Sequence, residues 1–429
     1  MRILVLGAYG FIGSAIARSL SAGHEVIGVG RNADLGRRTV PHIDWIAADL
    51  RRMLVPSDWR PHLAGIDVVV NASGLLQGQP GEVERVQHSA IAALLKAAEE
   101  AGLRQFIQIS ATGAEAEAPT DFMRTKALAD EQVRASSIPS VILKPGLVIG
   151  RNSYGGTELV RMAGAAPVAL RLPFRAPVQC IALPDVVDAV QRVVDEGLCS
   201  ETPIDLVEQV PHSLDEIIAE HRIWLGLQPP GFQAEVPKIL LSFAVIISDL
   251  LGRLGWRPPL RTNAVRSLEA GVYGDWTQSA KLLGRAPLSL RQALSAMPAG
   301  KQDRIAARMA LVLPIVLAVL FLLWFGTAVL TFADPIAAAQ PLLERGMSER
   351  AGRSIALGGA AVDLILALGL LARKSVRPAL IGMVGVTLAY LSSSFFLAPQ
   401  LWLDPLAPLL KALPAALLAL IAYWLTEER

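Results

Sequence analysis

Four long apolar segments lie beyond Lys301, and no other feature of the sequence limits the possible fold as strongly. Each is long enough, or nearly so, to cross about 30 Å of hydrocarbon at about 1.5 Å per residue, and none has the polar stripe of a surface helix. We therefore predict an all-α membrane bundle of about four transmembrane helices in residues 301–429. The segments are Met309–Phe332, Ile355–Ala372, Ala379–Ala398 and Leu406–Leu425.

Residues 1–150 have a different pattern, in which short apolar runs alternate with helical ones. Short runs that are apolar throughout are typical of buried parallel strands, and the alternation predicts an α/β Rossmann-type doubly wound parallel sheet. The predicted strands are Ile3–Leu6, Glu25–Val29, Trp45–Ala47, Asp67–Asn71, Gln105–Ile109 and Ser140–Leu143. The predicted helices are Phe11–Ser21, Glu82–Ala101 and Asp121–Ser136.

Three glycines, Gly7, Gly10 and Gly13, lie between the first predicted strand and the first predicted helix. In this position Gly7 permits a tight turn, Gly10 lets the backbone approach a pyrophosphate, and Gly13 lets helix and strand pack closely. The helix N-terminus adds free N–H groups and a positive dipole end. The motif therefore predicts a binding site for a nicotinamide dinucleotide.

The end of the second strand bears on the choice between NADP and NAD. NAD binders usually carry an acidic residue there, whereas this strand ends in Val29-Gly30-Arg31-Asn32. A guanidinium binds phosphate through its forked donors, so Arg31, followed by Arg37 and Arg38, favours NADP(H). NAD(H) remains the alternative. Asp49, after the third strand, is expected near the adenine.

These motifs together resemble extended and atypical short-chain dehydrogenases, the epimerase-like group, and in particular the branch that contains the NADPH-binding accessory subunit of mitochondrial complex I. Later stretches carry the same resemblance: Asn71-Ala-Ser-Gly74, Ile109-Ser-Ala-Thr112 and Lys144-Pro-Gly-Leu-Val148. The resemblance covers residues 1–230. It implies cofactor contacts at Gly7, Tyr9, Gly10, Phe11, Ile12, Gly13, Arg31, Asp49, Leu50, Ala72, Ser73, Lys126 and Val148.

The catalytic signature of this family is Tyr-x-x-x-Lys, and the matching stretch here is Phe122-Met-Arg-Thr-Lys126. The resemblance implies that Lys126 holds the nicotinamide ribose, but a phenylalanine cannot transfer the proton that accompanies hydride transfer. Ser110 and Thr112 match the family's substrate-side hydroxyls, and Tyr154 is a further candidate to replace the phenol. Lys126 and Ser110 are thus the candidate catalytic residues, and whether the protein is an enzyme stays open.

The rest of the chain is predicted to form a helical extension over 231–300 and the membrane domain over 301–429, with the NAD(P)-binding domain over 1–230. The apolar run Ile239–Leu251 is short for a membrane span, so we predict a core or interfacial helix there. Residues 301–429 resemble the DoxX-like family of four-helix membrane proteins. That resemblance implies an association with quinones or a membrane redox complex.

Two charged residues, Asp363 and Lys411, fall within predicted spans. A charge near the middle of a bilayer costs at least about 2.5–3.5 kcal/mol and usually marks a function or a partner. The two backbones differ little in predicted depth, which favours a buried Asp363–Lys411 pair. In the alternative, Lys411 extends outward to the interface and Asp363 is protonated or hydrogen-bonded.

The composition excludes several classes of function. The net charge of +2 gives no reason to expect a nucleic-acid partner. Cys180 and Cys199 are far apart and outside any CxxC, which is typical of a reducing compartment, and the six histidines are scattered. We expect no metal site.

The flanking charges predict the orientation in the membrane. The apolar start of the chain ends at Gly7, so we expect no signal peptide. The surplus of cations on one side of a four-span bundle places the N-terminal domain and both termini in the cytoplasm, at a bacterial inner membrane. These cations are Lys301, Arg304, Arg308, Arg373, Lys374, Arg377 and Arg429.

Two functions follow from these predictions. Phe122 favours a non-catalytic NAD(P)(H)-binding protein, either a redox sensor or an assembly subunit of a membrane redox complex. The membrane domain favours an NADPH-dependent oxidoreductase that passes hydride to a quinone or another lipophilic acceptor. A sugar-nucleotide epimerase is disfavoured by the missing tyrosine, and a transporter with a regulatory head has little support.

Overall fold

The computed structural model describes residues 1–76, 78–79, 81–152, 156–397, 399–405 and 407–427. Tyr154 and Arg429 lie outside these residues. The described chain forms two compact units, and each is considered by itself below. The first unit contains residues 1–246 and 259–304, and the second contains residues 247–258 and 305–429.

The first unit is built on a parallel sheet of seven strands in the order β10-β6-β5-β4-β1-β2-β3, and this confirms the predicted Rossmann-type fold. The strands are β1 (Arg2–Leu6), β2 (Glu25–Gly30), β3 (Asp44–Ala47), β4 (Val68–Asn71), β5 (Gln105–Ile109), β6 (Ser140–Pro145) and β10 (Ile204–Leu206). Four short strands form two smaller parallel pairs, β7 (Leu147–Ile149) with β9 (Cys180–Ala182) and β8 (Ala169–Arg171) with β11 (Gln233–Glu235).

Helices cover both faces of the sheet, because successive side chains of a strand point to opposite sides. In β1, Ile3 and Val5 join one buried hydrophobic cluster, whereas Leu4 and Leu6 join the other. The helices of this unit are α1 (Phe11–Leu20), α2 (Ala33–Thr39), α3 (Pro56–Leu63), α4 (Glu82–Glu84), α5 (Ala90–Glu100), α6 (Asp121–Ala135), α7 (Gly156–Ala165), α8 (Leu183–Glu196), α9 (Leu214–Trp224), α11 (Thr262–Ala270), α12 (Trp276–Leu283) and α13 (Leu290–Ser295). A further helix, α10 (Lys238–Arg253), begins in the first unit, and its residues from 247 onward belong to the second.

The predicted single helix Glu82–Ala101 is divided in the structure. A π-helical turn, Arg85–Ser89, separates α4 from α5 and turns Gln87 into the protein interior. Because a π-turn inserts one extra residue into a helix, apolar periodicity alone does not reveal it.

The crossover between β1 and β4 fixes the position of the site. β1 pairs with β2 on one side and with β4 on the other, so the strand order reverses at this point. In open parallel sheets, ligands bind in the crevice at the carboxyl ends of the strands where the order reverses. The predicted cofactor residues follow these strand ends.

The second unit is helical and contains three helices that are long and apolar enough to cross a membrane, among the residues described. These are α14 (Lys301–Ala333), α16 (Glu349–Gly369) and α17 (Val376–Leu397). Two shorter helices, α15 (Pro335–Leu343) and α18 (Ala412–Leu425), accompany them.

The fourth predicted span, Leu406–Leu425, is shorter in the structure than in the prediction. Its helix α18 has 14 residues and begins only at Ala412. At about 1.5 Å per residue this is roughly 21 Å, less than the hydrocarbon thickness. Pro405 and Pro408 lack the N–H group that a continuing helix requires, which accounts for the late start.

Candidate functional site

The turn between β1 and α1 forms the centre of the site. Gly7 has φ 71°, a conformation that favours glycine. A Cβ at Gly13 would lie only 2.3 Å from the carbonyl oxygen of Gly7, so the helix can approach the strand this closely only with glycine there. α1 has no side-chain cap and no acidic residue in its first turn. Its N–H groups and positive dipole end therefore suit the diphosphate of a dinucleotide.

Aromatic side chains line the end of β2. The ring of Tyr9 lies over Gly30, where an added Cβ would be 2.2 Å from the ring atom Cε1. Tyr9 also contacts Trp45, with 6.1 Å between the ring centroids. Arg31 follows Gly30 and is exposed, and Asn32 caps α2 by accepting a hydrogen bond from Leu35 N at 2.9 Å. This end of β2 thus presents an exposed guanidinium beside the glycine-rich turn.

Asp49 forms an ion pair that the sequence does not indicate. Both of its carboxylate oxygens accept hydrogen bonds from Arg51, the shortest being 2.6 Å, and Arg51 also bonds Glu82 at 2.7 Å. The hydrogen bonds from Arg51 lower the pKa of Asp49, and the charge of Arg31 contributes in the same direction. Leu50 is buried in the core. The carboxylate expected near the adenine is therefore held in place by an ion pair.

Lys126 lies at the inner edge of the site, on α6. Its ammonium donates hydrogen bonds to the carbonyl oxygens of Ser73 (2.9 Å) and Ile109 (2.7 Å), and the side chain is 4% exposed. The structure thus brings Lys126 to the ends of β4 and β5. Asn71 organises the same loop, since its Oδ1 accepts from the Ser73 hydroxyl at 2.5 Å and its Nδ2 donates to Gln108.

Phe122 lies one helical turn before Lys126 and is half-buried. Its carbonyl oxygen accepts a hydrogen bond from the Gln87 amide at 3.1 Å, and the same amide donates to Thr125 at 2.7 Å. The π-helical turn therefore braces the start of α6. The phenyl ring has no exchangeable proton, so this position does not perform the acid–base step of the family signature.

A buried pair, Ser110 and Asp130, adjoins Lys126. The Ser110 hydroxyl donates to the Asp130 carboxylate at 2.6 Å, and Lys144 Nζ lies 3.9 Å from the same carboxylate oxygen. Burial raises the pKa of Asp130. Thr112, the other predicted hydroxyl, donates to the Lys144 carbonyl oxygen at 2.8 Å. Sequence reasoning missed Asp130, although its position four residues after Lys126 places it on the same face of α6.

The remaining predictions concern Val148 and two residues of the second unit, Asp363 and Lys411. Val148 is buried in β7. Asp363 is 6% exposed in α16, whereas Lys411 is exposed at the N-cap of α18, and no ion pair joins them among the described residues. Of the two alternatives given for these residues, the described structure therefore contains the one without the pair. Because α18 starts only after the prolines, Lys411 lies at a helix end rather than within a span.

We expect the buried ammonium of Lys126 to give stability a distinct pH dependence. Burial lowers the pKa of Lys126 to about 8, against an ordinary value of 10.5, although the nearby Asp130 opposes the shift. Between pH 8 and 10.5 the unfolded chain holds this proton more tightly, so the free energy of unfolding should rise with pH by up to about 1.4 kcal/mol per pH unit. Denaturant unfolding of the wild type and Lys126→Met measures the difference. A difference that is constant across this pH range would contradict the assignment.

Two family models match the chain, one for each unit. A model of NAD(P)H-binding proteins matches residues 7–166, and a model of the DoxX-like family matches residues 319–420. The chain therefore contains an NAD(P)H-binding domain in its N-terminal part and a DoxX-like domain in its C-terminal part. This fusion of a dinucleotide-binding domain with a DoxX-like domain is a membrane protein.

Several curated proteins are similar to part of this chain. Ceramide reductase of Caulobacter vibrioides is 25% identical over 292 residues, which are 65% of this chain and 86% of that protein. Sterol demethylase protein B of Methylococcus capsulatus is 22% identical over 339 residues, covering 71% and 99%. Photosystem II assembly factor Ycf39 of Cyanophora paradoxa is 31% identical over 149 residues, covering 34% and 44%.

Solved structures show the same fold. UDP-glucuronic acid 4-epimerase from Bacillus cereus in complex with NAD has a TM-score of 0.54 at 17% identity, covering 72% of this chain and 100% of that one. NADPH-dependent quinone oxidoreductase QOR2 from Escherichia coli, complexed with NADPH, has a TM-score of 0.53 at 17% identity, covering 69% and 99%.

Proposed function

We propose that this protein is a membrane-anchored NADP(H)-binding protein that works without the acid–base step of short-chain dehydrogenases. It acts as a redox sensor or as an assembly subunit of a membrane redox complex, with its N-terminal domain on the cytoplasmic side of a bacterial inner membrane. The observation that carries the proposal is Phe122, which occupies the place of the proton-transferring tyrosine while the binding turn and Lys126 are retained. The likeness to an assembly factor, Ycf39, supports it.

When bound, the cofactor supplies hydride chemistry or a redox-dependent charge. The residues of the chain bind and orient the cofactor. In this proposal the β1–α1 turn holds the diphosphate, Lys126 holds the nicotinamide ribose and Arg31 binds the 2′-phosphate of the adenosine. Ser110 and Asp130 are positioned beside Lys126 and keep the ends of β5 and α6 together.

A replacement of Arg31 tests the preference for NADP(H). The Arg31→Ala substitution removes a charge-assisted contact with the 2′-phosphate, worth about 1.5 kcal/mol, so NADPH affinity should fall roughly tenfold while NADH affinity stays unchanged. Fluorescence titration measures both. Arg104→Ala is the control, because Arg104 is 70% exposed beside the amino-terminal end of β5, away from the site. Equal losses for NADPH and NADH would contradict the role of Arg31.

A comparison of the reduced and oxidised cofactors tests the sensor role. A ligand with equal affinity for two states of a protein shifts no equilibrium, so a sensor must distinguish NADPH from NADP⁺. We expect their dissociation constants for the full-length protein in nanodiscs to differ by roughly tenfold or more, which is about 1.4 kcal/mol. Equal constants would exclude the sensor role and leave the assembly role, which requires binding alone.

A second candidate is an NADPH-dependent oxidoreductase that acts on a quinone or another lipophilic acceptor. Two relatives of which the chain covers most of the length, ceramide reductase and sterol demethylase protein B, are named for lipid substrates, and this favours the candidate. Hydride transfer to a quinone takes its proton from solvent and does not require a tyrosine. Oxidation of NADPH that depends on a short-chain quinone is expected only for this second function.

A further inference from the structure

Helix α10 carries a continuous apolar face that none of the described residues covers. On the opposite side, Leu241 is 7% exposed and packs into the buried cluster that contains Phe174 and Ile217. The outward-facing residues follow one another at the helical spacing, and each is more than half exposed. They are Ile239, Leu240, Phe243, Ile246, Ile247 and Leu250.

The spacing makes these six residues one stripe rather than scattered exposures. Positions i, i+1, i+4, i+7, i+8 and i+11 fall within about a third of the helix circumference at about 100° per residue. Exposed cations lie at both ends, Lys238 at the start of the helix and Arg253 at its end. Apolar stripes with terminal cations are typical of helices that lie in the plane of a membrane interface.

Contacts directly after α10 place its end at a membrane surface. The Trp256 indole donates a hydrogen bond to the Leu371 carbonyl oxygen at 2.7 Å, and the Arg373 amide donates to Leu254 at 3.0 Å. The Arg373 guanidinium lies 5.4 Å from the centroid of the Trp256 ring. Leu371 and Arg373 belong to the turn between the membrane helices α16 and α17, so residues 254–256 lie at the level of that turn. Tryptophan and arginine are the side chains that commonly anchor segments at this depth.

We propose that α10 is an interfacial membrane helix whose six-residue stripe lies among the lipid headgroups and the first part of the acyl chains. The occupant of this surface is the lipid leaflet itself. Two observations select it over a protein partner: the helix continues directly into the segment fixed at the membrane turn, and further exposed cations, Arg257 and Arg266, follow it. These cations complement anionic headgroups. The proposal does not depend on which function the nucleotide site performs.

Site-directed fluorescence of the full-length protein tests the proposal. In a Cys199→Ser background, Phe243→Cys and Ile247→Cys are labelled with NBD, while Cys180 is buried and should stay unlabelled. Leu128→Cys on α6 is the matched control, since Leu128 is an exposed leucine of the nucleotide-binding domain, 38% exposed. The proteins are placed in nanodiscs of phosphatidylcholine and phosphatidylglycerol, with either a lipid nitroxide near the headgroup or aqueous iodide as quencher.

The expected result is strong quenching by the lipid nitroxide and weak quenching by iodide at positions 243 and 247, with the reverse at 128. Quenching by iodide at 243 and 247 would show that the stripe faces water and would overturn the proposal. Protection from both quenchers would show that protein covers the stripe, which overturns it as well. The two labelled positions are independent, so failure of one variant to fold leaves the other to decide.

Discussion

The Gly13→Ala substitution is expected to abolish dinucleotide binding. A Cβ at this position would lie 2.3 Å from the oxygen and 2.9 Å from the carbon of the Gly7 carbonyl, both backbone atoms that no rotamer change can move. The strand and helix must therefore separate, which costs about 1–3 kcal/mol in stability and displaces the N–H groups that we propose bind the diphosphate. NADPH affinity should fall by roughly a hundredfold or more, which corresponds to about 2.7 kcal/mol.

Gly23→Ala is the control for this substitution. Gly23 follows α1 in an exposed turn, and an added Cβ there meets no atom within 4 Å. Fluorescence titration with NADPH and thermal unfolding should leave this variant close to the wild type. Full NADPH affinity in Gly13→Ala would mean that the turn is not the diphosphate site.

The Lys126→Met substitution is expected to weaken nucleotide binding much more than it changes stability near neutral pH. Loss of the ammonium leaves the Ser73 and Ile109 carbonyl oxygens without their donor, but it also removes a buried charge, and these effects oppose each other. Nothing offsets the loss of the hydrogen bond that we propose between Lys126 and the nicotinamide ribose. A charged hydrogen bond is worth about 1.5–3 kcal/mol, so NADPH affinity should fall roughly 10- to 100-fold.

Lys96→Met is the control, because Lys96 is an exposed lysine on α5. Equilibrium unfolding by denaturant and NADPH titration should leave this control unchanged. If Lys126→Met unfolds at much lower denaturant concentration but, while folded, binds NADPH normally, then Lys126 is only a structural residue and the proposed ribose contact is wrong.

The nucleotide-binding fold could be predicted because its signals are local. Each of the six predicted strands of the sheet is a short apolar run. Gly7 lies between a strand and a helix, where a glycine commonly forms the tight turn of a dinucleotide-binding fold. The strands β7 to β11 have three residues each, too few for a periodic pattern to emerge. The π-helical turn at Arg85–Ser89 was also beyond prediction, since its extra residue leaves the apolar pattern looking helical.

Predictions that depended on long-range contacts succeeded less well. The ends of β4 and β5 place Ser73 and Ile109 beside Lys126 of α6. The sequence did not indicate that the Lys126 ammonium donates hydrogen bonds to two main-chain carbonyl oxygens. The Asp363–Lys411 pair assumed an unbroken fourth helix. Two prolines delay that helix, and Lys411 lies at its end. Hydropathy counts apolar residues and does not register where a helix can begin.

Hydride transfer itself provides the most direct test of the central claim, that this protein binds NADP(H) without short-chain dehydrogenase catalysis. The full-length protein would be incubated with NADPH deuterated at C4 and a bacterial membrane lipid extract. Deuterium transferred to carbon in the lipids would be followed by mass spectrometry. Quinone reduction would be followed by the amount of quinol formed, because a deuteron on a quinol oxygen exchanges with water. We predict tight NADPH binding with no more transfer than in Gly10→Trp, whose bulky side chain blocks the turn. Deuterium transfer to lipid carbon, or quinol formation from NADPH, that Gly10→Trp abolishes would contradict the claim and establish an oxidoreductase of lipophilic acceptors.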